Sequence, residues 1–248
     1  MILTRRSLVV GIGGLAVAGC DKINGSPAVQ RLLGLGERAT YSAQRLIADR
    51  AALAPEFTLA QMSPMFRTNG NTMPAAPAYA AHMANNFANW RLAVDGLVAR
   101  PLSLSLAQLR AAPHRTQITR HDCVEGWSAI GQWTGTPLRL VLQQAGLSSK
   151  ARFIVFHCAD DFNGTPYYES IDLIDAMHPQ TILAWGMNGQ PLAVPHGAPI
   201  RVRIERQLGY KQAKFVMRVE AVDSLARIGE GKGGYWEDVA AYQWYAGI

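Results

Sequence analysis

The sequence has no dense run of lysine or arginine. Its 24 basic residues are scattered among 18 acidic ones, so nothing resembles the basic stripe a nucleic-acid partner needs, and nucleic acid is excluded as a partner. It has few cysteines: Cys20, Cys123 and Cys158 are too few for a disulfide framework, and no Cys-Xaa-Xaa-Cys-His haem attachment site occurs. The apolar, glycine-rich run from Leu8 to Ala18 is too short to cross a bilayer as a permanent helix, which takes about 20 residues. No segment repeats another. With 49% hydrophobic and 17% charged residues, the composition is that of an ordinary globular protein and argues against disorder over most of the chain.

The N-terminus carries targeting signals. Thr4-Arg5-Arg6-Ser7-Leu8 ahead of the short apolar run resembles a twin-arginine export signal, although Leu8 stands where Phe is common and no basic residue follows. An ordinary secretory signal is the alternative. Val17-Ala18-Gly19-Cys20 resembles a lipobox, which makes Cys20 the acylated first residue of the mature chain, a lipid anchor and not a catalyst. Asp21 behind it resembles the signal that retains such lipoproteins at the inner membrane in some bacteria. Removal of residues 1–19 leaves 229 residues and takes Arg5 and Arg6 with it, so the net charge falls from +6 to +4. A chain of that length suits one domain with a substantial core.

The expected organisation is a signal over 1–19, an anchor and leader over 20–60, and a catalytic domain over 61–248. In the leader, Leu32, Leu35, Ala39, Leu46 and Ile47 recur at helical spacing and predict a short amphipathic helix. Four prolines and Asn69-Gly70 make 54–88 an extended, loop-rich lead-in. Beyond it, Leu92–Val94, Gln117–Thr119 and Phe153–Phe156 read as strands, and so do Ile200–Ile204 and Phe215–Val219. Ser105–Leu109 reads as a capped helix start, and Pro137–Ala145 as a helix closed by Gly146. Asn188-Gly189 between Thr181–Trp185 and Leu192–Val194 is a hairpin signal. The sum is a mixed α+β single domain with mostly antiparallel sheets.

With Cys20 acylated, the bland reading of Cys123 and Cys158 in an oxidising compartment is one disulfide. The surroundings of Cys123 argue otherwise. It follows a strand and sits among His121, Asp122, Glu125 and Trp127, a polar setting of the kind that carries active groups. The segment Arg120-His121-Asp122-Cys123-Val124-Glu125-Gly126-Trp127, with Trp133-Thr134-Gly135-Thr136-Pro137 behind it, resembles the cofactor-ligating segment of the sulfite oxidase superfamily. So do Met187-Asn188-Gly189-Gln190-Pro191, His196-Gly197-Ala198-Pro199-Ile200-Arg201 and Gly209-Tyr210-Lys211-Gln212-Ala213-Lys214 in the same order.

The resemblance implies an oxidoreductase with a molybdenum-molybdopterin cofactor, in which Cys123 supplies the thiolate to the metal. It further implies that His196, Arg201, Lys211, Gln212, Ala213 and Lys214 hold pterin and phosphate, that Asp160 or Cys158 lines the same pocket, and that Asn69 contacts the pterin. Asn85-Asn86-Phe87 is the rival for that last role. Lone histidines and cations of this kind are also common as plain structural groups. Sulfite oxidases proper follow the ligand cysteine with Ala-Gly-Asn-Arg-Arg, where this chain has Val124-Glu125-Gly126-Trp127. The departure turns the expectation from sulfite towards the bacterial branch that includes the periplasmic methionine sulfoxide reductase catalytic subunit. Oxygen-atom transfer on small S-oxides or N-oxides is the resulting expectation, with Trp127, Trp133, Tyr235, Trp236, Tyr242, Trp244 and Tyr245 as candidate cavity walls. Electrons come from a separate membrane b-type or soluble c-type cytochrome, by the family resemblance. The location is the periplasm, with a lipid anchor in the inner membrane. Sulfite oxidation, a metal-free interaction lipoprotein on the same fold, and a cysteine hydrolase built on Cys123 with His121 or His157 are the alternatives.

Overall fold

A computed structural model describes residues 26–248. The twin-arginine-like segment, the lipobox and Cys20 lie outside the described residues. The chain divides into two units, 1–49 and 50–248.

In the first unit Pro27, whose missing N–H is harmless in a first turn, opens α1 (Pro27–Ile47), 21 residues long. This is the amphipathic helix expected from the leader.

The second unit starts before the expected position 61. Phe57 N–H donates to Ile118 C=O at 2.8 Å, and the Gln180 amide both accepts from Ala54 N–H at 2.8 Å and donates to Ala54 C=O at 3.0 Å. The lead-in is also less irregular than its prolines suggest, because Pro77 begins α2 (Pro77–Ala84) from the one helical position where proline fits. Then come β1 (Arg91–Gly96), β2 (Leu102–Ser105) and α3 (Leu106–Ala111). Ser105 caps α3 by accepting from Gln108 N–H at 3.1 Å, and the Gln108 side chain accepts from Ser105 N–H at 2.8 Å. The two bonds form a capping box.

The hairpin that carries Cys123 follows: β3 (Arg115–Cys123) and β4 (Trp127–Pro137), paired from Arg115 opposite Gly135 to Cys123 opposite Trp127. Next are α4 (Leu138–Ala145), β5 (Phe153–Phe162), β6 (Thr165–Asp172), α5 (Leu173–Ala176) and β7 (Ile182–Met187). Gly146 ends α4 at φ 72°, as its place in the sequence predicted. After the Asn188-Gly189 turn only Gln190–Pro191 pairs, as β8. The expected strand over Leu192–Val194 is instead loop and a 3-10 turn, Val194–His196, with Pro195 inside it. β9 (Arg201–Arg203), β10 (Val216–Val222) and α6 (Tyr235–Ala240) complete the unit.

One sheet has the order β2-β1-β10-β5-β6, the other β3-β4-β7-β8 with β9 also on β7. Every named pair is antiparallel except β1 with β10, so the expected mixed, mostly antiparallel α+β fold is what forms. The main core joins both sheets: Leu92 of β1, Leu142 of α4, Phe156 of β5 and Val219 of β10 meet Leu183 of β7 and Val202 of β9.

Candidate functional site

In β3 the residues at 117, 119, 121 and 123 are buried and their neighbours face outward, as period-two strand geometry requires. The buried row reads Gln117, Thr119, His121, Cys123, so the inward face of this strand is polar. It is met by charged residues of β9 and the loop beyond it. Arg203 Nη1 donates to His121 Nδ1 at 3.0 Å, and the same guanidinium is held by Glu205 at 2.9 and 2.6 Å. A guanidinium can only donate, so His121 Nδ1 accepts and the neutral ring carries its proton on Nε2. Burial, then the charges of Arg203 and Arg201, hold the imidazole well below its usual range. Its Nε2 has no hydrogen-bond partner and lies against Gly209, where a Cβ would stand 2.4 Å away. Only glycine leaves that space.

Cys123 ends the strand at 9% exposure. Its C=O accepts from Gly126 N–H at 3.0 Å, and Gly126 takes φ 84°, the left-handed conformation that suits glycine in a tight turn. The thiol is free, as is that of Cys158, so the disulfide alternative does not form. Burial pushes the Cys123 thiol up, the Glu125 carboxylate adds to this, and Arg201 opposes it. Glu125 in turn accepts from Trp127 Nε1 at 3.0 Å.

Cys123 opens into a cavity of about 220 Å³. Of the nominated residues, Asn69, Asp160, Gln212 and Lys214 line it, together with Trp236 and Tyr242 from the C-terminal aromatic group. Asp160 Oδ2 accepts from Asn71 Nδ2 at 3.1 Å, while Oδ1 has no partner. Burial raises this carboxyl to about 6. Lys214 Nζ donates to the carbonyls of Asn69 at 2.6 Å, Pro195 at 3.0 Å and Asn71. Burial and the nearby Arg201 charge lower this ammonium to about 7. All its protons are engaged, so Lys214 ties the 69–71 loop to the 3-10 turn at the cavity edge.

Arg201 and His196 sit behind this wall. Arg201 donates to His196 C=O at 3.2 Å and Gln212 C=O at 3.1 Å, with its guanidinium 5.2 Å from the centre of the Trp133 ring. It is wholly buried, its Nε has no partner, and burial lowers it to about 9. His196 Nδ1 is likewise without a partner, and burial followed by the Arg201 charge takes the ring to about 4.

Two of the expected side chains lie away from this cavity. Lys211 does not face the cavity: its ammonium is closed between Glu169 and Glu237, 2.5 Å from each, because two buried carboxylates attract it more strongly than an open wall can. Cys158 lines a neighbouring cavity of about 400 Å³ instead, since β5 breaks register between His157 and Asp161 and separates it from Asp160. The two cavities share Tyr167 as a wall. Ala213 is buried in the main core and offers the site only backbone. Asn85–Phe87 ends α2 and is absent from the lining, where Asn69 is present. Tyr235 faces the neighbouring cavity, and Trp244 donates to Ser170 Oγ at 2.8 Å. Asn71, Gly209 and Tyr210 line the site without having been given a role from sequence; Gly209 and Tyr210 belong to a matched segment and Asn71 follows Asn69-Gly70, and that was the available signal.

Comparison with known proteins gives a consistent pattern. The family model described as the oxidoreductase molybdopterin binding domain matches residues 79–227. A candidate protein-methionine-sulfoxide reductase subunit, YedZ1, of Azospira oryzae is 42% identical over 160 residues, covering 64% of this chain and 56% of that one. The protein-methionine-sulfoxide reductase catalytic subunit MsrP of Campylobacter jejuni is 31% identical over 185 residues, covering 68% and 60%. The chain thus spans little more than half the length of these relatives. Among solved structures, the sulfane dehydrogenase SoxCD of Paracoccus pantotrophus shares the fold at TM-score 0.50 and 23% identity, over 55% of this chain and 39% of that one.

Proposed function

The chain belongs to the oxidoreductase molybdopterin-binding domain family, and on that premise we propose that it is an exported, lipid-anchored enzyme that reduces S-oxides, with N-oxides as further substrates. The observation that carries the reading is the cavity at Cys123. It has aromatic walls and the Glu125 carboxylate, and among the described residues the only cation in its lining is Lys214, whose protons are held by three carbonyls. A small dianion such as sulfite has no free positive partner there and meets a carboxylate. A neutral sulfoxide suits such walls.

The residues also fit a molybdenum-molybdopterin cofactor. A group rich in donors and acceptors needs buried polar atoms kept for it, and Asp160 Oδ1, His121 Nε2, His196 Nδ1 and Arg201 Nε are buried without partners. Cys123 would ligate the metal; Asn69, Asp160, His196, Arg201 and Gln212 would hold the pterin and its phosphate, and Lys214, its protons held by three carbonyls, would keep the 69–71 loop in place beside them. When bound, the metal centre supplies two-electron oxygen-atom exchange. Each turnover needs two electrons and two protons and releases the sulfide and water. As the family resemblance implies, the electron donor proposed is a separate cytochrome, membrane b-type or soluble c-type.

Thiolate binding needs a deprotonated Cys123. Its thiol is raised by burial in the cofactor-free protein, so metal loading releases a proton. Arg201, wholly buried beside it, favours the anion. His121, neutral and pinned by Arg203, presents a fixed N–H donor beside Gly209.

The test is metal analysis of the purified mature protein, with an assay panel. About one molybdenum per chain is expected, lost in Cys123→Ser and kept in Cys158→Ser. Methionine sulfoxide and other oxides with reduced viologen should turn over faster than sulfite with ferricyanide. Robust sulfite turnover without oxide reduction would overturn the substrate assignment.

A further inference from the structure

α1 has two unlike sides. At 3.6 residues per turn, Val29, Leu32, Leu35, Ala39, Ala43 and Leu46 fall within an arc of about 120°, and Glu37, Tyr41 and Arg45 lie on the opposite side. The apolar side is open: Leu32 is 67% exposed, Leu35 55%, Leu46 86% and Ile47 82%. Arg45 is buried. Such a row of exposed leucines along a single helix is rare on a soluble surface and marks a place of contact.

We propose that this face of α1 lies on a phospholipid surface, parallel to it, as a membrane contact in its own right. Three observations favour lipid as the occupant. The helix begins seven residues after Cys20, the residue proposed above to carry an acyl group, so an anchored chain reaches the bilayer with this helix first. No helix among the described residues is long and apolar enough to cross a membrane, and besides the buried Arg45 α1 carries arginine at 31 and 38 with one acid, Glu37. A one-sided apolar helix with basic positions settles in the interface. Lying flat, it spans about 31 Å at 1.5 Å per residue.

The experiment uses the mature chain from position 20 with Cys20→Ser, so its outcome does not depend on acylation. Co-sedimentation with vesicles of phosphatidylethanolamine and phosphatidylglycerol should show binding. Leu32→Asp with Leu35→Asp should lower the bound fraction at least about tenfold, with molybdenum content and thermal unfolding of the remaining chain unchanged. Leu46→Asp with Ile47→Asp, at the far end of the helix, should act in the same direction. Absence of vesicle binding, or binding that either pair leaves intact, overturns the proposal. A chain that stays off vesicles but forms a dimer dissolved by these substitutions assigns the face to a second copy and overturns it equally.

Discussion

Around α4 the interior is apolar: Leu138, Leu142, Ile154 and Phe156 have no exposed surface. Behind Cys123 the interior is just as closed, yet it consists of Gln117, His121, Arg203, Glu205 and the Lys211 cluster, each at 4% exposure or less. Apolar burial is non-directional, so the first region tolerates approximate fit and needs no particular partner. In the second, every charge must be met by a counter-charge or a hydrogen bond, because a buried ion left alone is far costlier than a missing methylene. The atoms still unmet there, Asp160 Oδ1 and Arg201 Nε among them, lie at or just behind the cavity wall. One region stabilises the fold; the other spends stability on a preset site.

The largest expected effect sharpens that contrast. Lys211→Ala strands Glu169 and Glu237 and should cost about 3–5 kcal/mol in urea unfolding. Lys211→Met with Glu169→Gln and Glu237→Gln should recover most of it. If Lys211→Ala cost no more than a surface substitution, the two interiors would not differ in kind. Next is Leu142→Ala, which opens a cavity in the apolar region and should cost about 3 kcal/mol, with the same value at pH 5 and pH 8.

The polar region should instead be pH-dependent. Asp160 has its carboxyl raised from 3.8 to about 6, so the folded chain binds the proton more tightly than the unfolded chain does. Its contribution is full below pH 3.8 and is lost as pH rises through 6. Lys214, lowered from 10.5 to about 7, contributes above pH 10.5 and loses that contribution as pH falls through 7. Asp160→Asn should therefore stabilise the cofactor-free protein at pH 7 by on the order of 1–3 kcal/mol and flatten its profile between pH 4 and 6. An unchanged profile would remove Asp160 from the strained set. The smallest effect lies far from the cavity: Ser105→Ala, which removes the α3 cap, should lower the melting temperature by an amount equivalent to about 1 kcal/mol.

Legibility followed the same division. Elements whose order is local could be read directly: the leader helix from its apolar spacing, α3 from Ser105, the end of α4 from Gly146. β4 and β6 were missed although each forms a hairpin with the strand before it, because their alternation is broken by Gly131, Gly135 and Pro166. At the site, the matched segments led to Cys123, Asn69, Asp160, Gln212 and Lys214, which the structure gathers round one cavity. Lys211 could not be placed that way. Its position depends on Glu169 and Glu237, two carboxylates that carry no local mark of being buried. Cys158 was set apart from Asp160 by a break in strand register that leaves no trace in residue type.

β10 occupies the middle of the first sheet, parallel to β1 on one side and antiparallel to β5 on the other. Its register sets Ala93 opposite Arg218 and Val219 opposite Phe156, so the β1-β2 pair and the β5-β6 pair are joined in that sheet only through a segment that comes later in the sequence than all four. On the ribosome, the β1-β2 pair cannot be joined to the β5-β6 pair until β10, which ends at Val222, has emerged. Such long-range closure makes folding late and cooperative. A chain truncated before Val216 lacks the centre strand of its first sheet, and translation must pass Val222 before that sheet is complete.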